Sequence, residues 1–167
     1  MAEPVSLRFD DAAMRRLLAR TPDIVLEEMS RAVVEVSMLA EREVKERTPT
    51  SGAGTLRDSI GALPVTISGT RIRGGVGTAL SYAAPVEDGS KPHWAPIEPL
   101  LDWVQRKLGK TGEEAEGIAR AIRFKIAMHG APAHHMFRDG FAYASPMAME
   151  IFAAAVDRAA VRIEGGA

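Results

Sequence analysis

Between Pro22 and Arg47, apolar side chains fall at Leu26, Met29, Val33, Val36, Ala40 and Val44, at spacings of three and four. That recurrence sets them along one side of an α-helix. Glu27, Glu28, Glu35, Glu41, Arg42, Lys45 and Glu46 occupy much of the remaining circumference, so one stripe should be buried and the rest wetted. Pro22 suits a first helical position, where its missing N–H leaves no bond unmade, and Thr21 can cap the helix in front of it. At 1.5 Å per residue such a helix is roughly 39 Å long. A chain of 167 residues folds as about one domain, and a rod of that length spans it.

The other elements are read against this rod. Upstream, Val5, Leu7 and Phe9 alternate with Ser6 and Arg8, which predicts a short strand over Pro4–Phe9. Asp10 or Asp11 can cap a helix that follows to about Arg20. Downstream, Thr48-Pro49-Thr50-Ser51-Gly52-Ala53-Gly54 breaks the long helix. Val65, Ile67, Ile72 and Val76 predict two strands meeting near Ser68-Gly69, with Gly74-Gly75 as a bulge.

The stretch Ser81–Trp94 then gathers aromatic, acidic and turn-forming residues. Gly89, between Asp88 and Ser90, marks a turn, and Pro92 and Pro96 hold His93 and Trp94 extended. Ile97, Leu100, Leu101, Val104 and Leu108 predict an amphipathic helix begun at Pro96 and stopped at Gly109. Thr111 and Glu114 have capping-box spacing. The helix they open should bury Ala115, Ile118, Ala119, Ile122 and Ile126, turn Arg120, Arg123 and Lys125 outward, and end at His129-Gly130. Phe137 to Ile163 reads as mostly helical, interrupted or kinked at Pro146, with a frayed end after Glu164. The fold class is therefore α+β: a small antiparallel sheet, hairpin plus N-terminal strand, against a long helix, with further C-terminal helices.

Composition excludes several chemistries. Without cysteine there are no disulfides, thiolate metal sites or cysteine nucleophiles. A net charge of −1 with interleaved signs argues against a dedicated nucleic-acid binder. No apolar run approaches the roughly 18 residues of a membrane span, and Met1-Ala2-Glu3-Pro4 lacks the pattern of a secretion signal, which points to synthesis in a cytoplasm.

Single motifs are also weak. His129 and His134 with Asp139 are the residues a metal site would recruit, but no His-Glu-x-x-His pairing exists, and a solvated or interface histidine pair is the simpler reading. Gly74-Gly75-Val76-Gly77-Thr78 lacks the Gly-Lys-Ser/Thr ending of a phosphate loop. Ser59 and Ser81 have no Gly-x-Ser-x-Gly context. Glu87 and Asp88 read as capping or solvated groups, Arg57 and Asp58 as an exposed rim, and Trp94 and Trp103 as anchors for core or subunit contact. No cofactor is expected.

The motifs say more in combination. Val44-Lys45-Glu46-Arg47-Thr48-Pro49 is followed by a glycine loop and Gly54-Thr55-Leu56-Arg57-Asp58-Ser59-Ile60. Val76-Gly77-Thr78 is followed by Tyr82-Ala83-Ala84-Pro85-Val86-Glu87-Asp88-Gly89-Ser90. In this order, from about Val33 to Phe141, they resemble the tail-completion, or head–tail joining, family of long-tailed bacteriophages. Lys91-Pro92-His93-Trp94-Ala95-Pro96-Ile97 with Leu100-Leu101-Asp102-Trp103 is similar to a subgroup with an inserted helical segment. Where the family has an Arg-Pro-Phe step into its last helix, this chain has His134-His135-Met136-Phe137-Arg138.

The resemblance implies one tail-completion domain over 1–167, with 94–130 as a helical insertion. It implies a structural, non-enzymatic virion protein at the neck, assembled in the host bacterial cytoplasm as a ring of six. Its partners would be its own copies, the head connector or stopper, the tail terminator and the tail tube, with genome DNA passing nearby unbound and no membrane. Leu56, Arg57, Tyr82, Glu87, His93 and Trp94 are the expected subunit or partner contacts. Two alternatives stand beside it: a tail terminator or other neck-ring subunit, and a small metal-dependent hydrolase using His129, His134 and His135.

Overall fold

The computed structural model describes residues 22–50 and 54–164. The strand expected over 4–9, the helix after it, the Thr21 cap and the tail beyond Glu164 lie outside them. The chain divides into two compact units. Of the described residues, one takes 48–50, 54–59 and Thr78–Met136; the other takes 22–47, Ile60–Gly77 and 137–164.

In the second unit the long helix is α1, Pro22–Arg47. Its fully buried apolar residues are Val25, Met29, Ala32, Val36, Ala40 and Val44. Val25 and Ala32 thus take the places expected of Leu26 and Val33, which are half-buried. The reason is that α1 serves two neighbours. Val25, Met29, Ala32 and Val36 share a core with Ala148, Phe152, Ala155 and Ala159 of the C-terminal helix, while Val33 packs at the margin of that core with Ile72 of the hairpin.

The hairpin is β1, Gly61–Ser68, antiparallel to β2, Arg71–Gly77. Ser68 pairs with Arg71 across a two-residue Gly69-Thr70 turn, where the sequence placed it. The register shifts between Leu63 and Thr66, whose partners are Gly75 and Arg73, so Pro64 and Val65 together face Gly74. The extra residue sits in β1, opposite the glycines rather than at them, because Pro64 cannot donate to a ladder. Gly74 has a different task. A Cβ on it would stand 2.5 Å from Ser37 Oγ and 2.6 Å from Val33 Cγ1, so its bare backbone lets β2 lie against α1. Ala62 N–H donates to Glu41 Oε2 of α1 at 2.8 Å and is not used in the ladder. Lys45 and then this bond hold the Glu41 carboxyl below its ordinary range, against the opposing effect of burial.

The C-terminal helix of this unit, Met136–Glu164, runs unbroken through Pro146, which is exposed; the expected interruption is absent. It lies antiparallel to α1, as contacts at both ends show. Near one end, Arg47 stacks over the Tyr143 ring at 4.7 Å. Near the other, Arg162 donates to Glu28 Oε1 at 2.6 Å and Arg158 to Glu28 Oε2 at 3.1 Å. Glu28, read from the sequence as part of the wet face, is 3% exposed.

The first unit holds α2, Thr55–Ser59, α3, Ala83–Asp88, α4, Ile97–Leu108, and α5, Gly112–His129; the helix Met136–Glu164 is accordingly α6. Helices α4 and α5 have the expected bounds and share a small core of Val104, Ala115 and Ala119. The capping box does not form: Thr111 makes no side-chain cap bond, and Glu114 pairs with Lys110 at 2.8 Å. Arg123, expected to face outward, is half-buried.

Candidate interaction surface

Both sequence motifs that carried the resemblance contribute to the first unit, and hydroxyl groups tie them together. Asp58 N–H donates to the Gly54 carbonyl at 2.9 Å, which starts α2. The Ser59 hydroxyl donates to the Leu56 carbonyl at 2.7 Å. A hydroxyl has one proton to give, so the 2.7 Å contact between Ser59 and Thr78 is donated by Thr78. Thr78 in turn accepts from Leu80 N–H at 3.2 Å. The bonds Leu80→Thr78→Ser59→Leu56 run one way and join the loop before α3 to α2. Leu56 is buried beneath them, and Arg57 projects into solvent.

Helix α3 was not expected from the sequence. Its six residues contain Pro85, which reads as a breaker, yet Pro85 sits in the first turn, where no intrahelical donor is required. Tyr82 precedes the helix and is exposed; Glu87, in its last turn, is 9% exposed. Gly89 ends it at φ 78°. A Cβ there would lie 2.7 Å from the Ala131 carbonyl oxygen and 2.9 Å from Ala133 N, so two strands of chain cross at this glycine.

Beyond the crossing, Ser90 and Ala131 exchange backbone bonds at 2.9 and 3.1 Å. His134 and His135 N–H donate to the Val86 and Glu87 carbonyls at 2.9 and 3.0 Å. The chain therefore leaves at Ser90, makes the α4–α5 pair, and returns at Ala131.

His93 and Trp94 lie on the outgoing strand, outside any helix, as the flanking prolines predict. His93 Nδ1 meets the Lys91 carbonyl at 2.9 Å, so that nitrogen carries a proton. Trp94 is 66% exposed, its ring held under the Arg123 guanidinium at 5.3 Å. Of the six expected contact residues, four thus reach solvent (Arg57, Tyr82, His93 and Trp94), while Leu56 and Glu87 are internal supports.

The histidines do not gather as a shared metal site would need. His135 has ligand atoms within 4.8 Å of those of Glu87 and Asp88. Among the described residues His129 and His134 enter no such cluster of three, and Asp139 pairs with Arg138 at 2.8 Å. The set His129/His134/His135 weighed from the sequence is therefore not assembled as a unit. The grouping of His135 with Glu87 and Asp88 was hidden, because it follows from the return strand docking on α3 across more than forty residues.

Residues 11–89 match the model of one family, HK97-gp10-like, described as "Bacteriophage HK97-gp10, putative tail-component". The match is confined to this region and is a similarity to that family. The matched region takes in α1, α2, the hairpin and α3, and it ends at Gly89, one residue before the Ser90–Ala131 crossing. It begins upstream of the resemblance read from Val33, and residues 90–141 lie outside it. The family is one of phage tail components, which are parts of the virion. Among the described residues no helix is long and apolar enough to cross a membrane. Neither a curated protein nor a solved structure matches the chain.

Proposed function

We propose that this protein is a structural subunit that completes the phage tail and joins it to the head at the neck, six copies closing into a ring. It performs no catalysis. The observation that carries this reading is the match of residues 11–89 to a phage tail-component family. In the ring it meets its own copies, the head connector or stopper, the tail terminator and the tail tube, and the genome passes without being held. The whole chain acts as one neck-type domain, with 94–130 as an insertion that starts just past the family match.

A ring subunit needs two different surfaces, one for each neighbour. The hairpin supports one. Glu41 occupies the Ala62 N–H and Pro64 has none, so the outer edge of β1 is blunted, a common protection of sheet edges. Among the described residues β2 pairs with β1 alone, which leaves its outer edge to be extended by another chain. The second surface is the outer side of α1, where exposed Val34 and Met38 border a shallow 460 Å³ depression. Arg57, Tyr82, His93 and Trp94 supply further partner contacts.

Ala62 and Val76 face each other as a pair that does not exchange ladder bonds, so Val76 N–H points to the free edge. A Val76→Pro protein should fold as a monomer, by circular dichroism, and fail to form rings by electron microscopy. Deleting the gene from its phage should leave heads and tails unjoined; normal infectious particles from the deletion would refute the reading.

A further inference from the structure

The outer face of α5 carries Gly117, Ala121, Phe124 and Met128 at spacings of four, three and four, all exposed, on the side opposite buried Ala115 and Ala119. Phe124 and Met128 are 59% and 57% exposed, and nothing lies within 4 Å of where a Gly117 Cβ would stand. The stripe lies beyond the family match, in the α4–α5 excursion.

Two asymmetries along this helix say what covers it. Size is graded: small residues, Gly117 and Ala121, precede the large ones, Phe124 and Met128. Charge is graded in the same direction, with Glu113, Glu114 and Glu116 in the first half, Arg120 at the middle, and Arg123 and Lys125 in the second half. A parallel copy would set bulk on bulk and like charge on like. An antiparallel copy sets Phe124 over Gly117 of the partner subunit and Lys125 beside Glu114 of the partner subunit, with the twofold near Arg120–Ala121. The two matches place the twofold within one residue of each other, between Arg120 and Ala121 for the first and between Ala119 and Arg120 for the second.

We infer that α5 is the contact of a twofold dimer, in which this helix packs antiparallel against α5 of a second copy of the chain. The contact is isologous, each stripe meeting its own counterpart, and so differs in kind from head-to-tail ring contacts. It joins two subunits and then stops. Knob-into-hole insertion of Phe124 supplies packing, and the acidic and basic halves set direction and register.

The full-length chain tests this, and its lack of cysteine gives a clean background. Ala121→Cys should form a disulfide-linked dimer under mild oxidation, with no higher ladder, faster than an Asp157→Cys control on the exposed side of α6. In sedimentation, Phe124→Glu should weaken association roughly tenfold or more. Lys125→Glu should weaken it too, and adding Glu114→Lys should restore it; this pair serves if Phe124→Glu does not fold. Equal crosslinking at 121 and 157, or failure of the charge exchange to restore association, would overturn the dimer. So would a ring that forms normally while Ala121→Cys stays unlinked.

Discussion

Glu28 shows how one side chain can organise a helix pair. Arg162 first, then Arg158, hold its carboxyl below the ordinary value of 4.5, and burial only partly opposes them. A carboxyl so lowered adds stability that is fully present above 4.5 and disappears as pH falls through the lowered value. Glu28→Gln keeps the shape and removes the charge. It should cost about 1–2 kcal/mol at neutral pH, a modest figure because both guanidiniums are near half exposure. Urea unfolding of the two proteins should show that gap narrowing below pH 4.5. None of this was legible in the sequence, where Glu27-Glu28 is one more acidic step on a polar face. The arginines that bury Glu28 are 130 and 134 residues away.

Among the elements, those written in local chemistry were legible. Helix α4 starts after Pro96 and stops at Gly109 in the left-handed region, and the hairpin turns at its glycine. Where outcome depended on a second element, sequence reading missed. The capping box gave way to Lys110–Glu114, and α3 formed around a proline whose position in the turn made it harmless. Gly74 and Gly75 look interchangeable as letters yet differ in surroundings. Gly74→Ala should cost about 1–3 kcal/mol through collision with Val33 and Ser37. Gly75→Ala should be nearly neutral, since its Cβ would meet only Leu63, at 3.6 Å. Thermal melts of the two variants decide this.

Over the whole molecule, the α+β class followed from the rod and the hairpin, whereas the division into two units did not, because it depends on where the chain returns. Among the described residues, the two helix pairs rest on clusters of different size. Eight buried residues join α1 to α6, and three join α4 to α5. Backbone amides of α4 and α5 should therefore exchange with deuterium sooner than those of α1 and α6, as mass spectrometry of peptides would show. Equal protection would mean that the smaller core is reinforced by contacts beyond its own helices.

The Ser90–Ala131 crossing has an evolutionary corollary. A segment that departs and comes home through one adjacent pair of backbone positions can grow, shrink or be swapped while its flanks keep their places. Related proteins are thus free to rewrite the loop of sequence between those two points, and differences should accumulate there while the remainder of the protein stays recognisable.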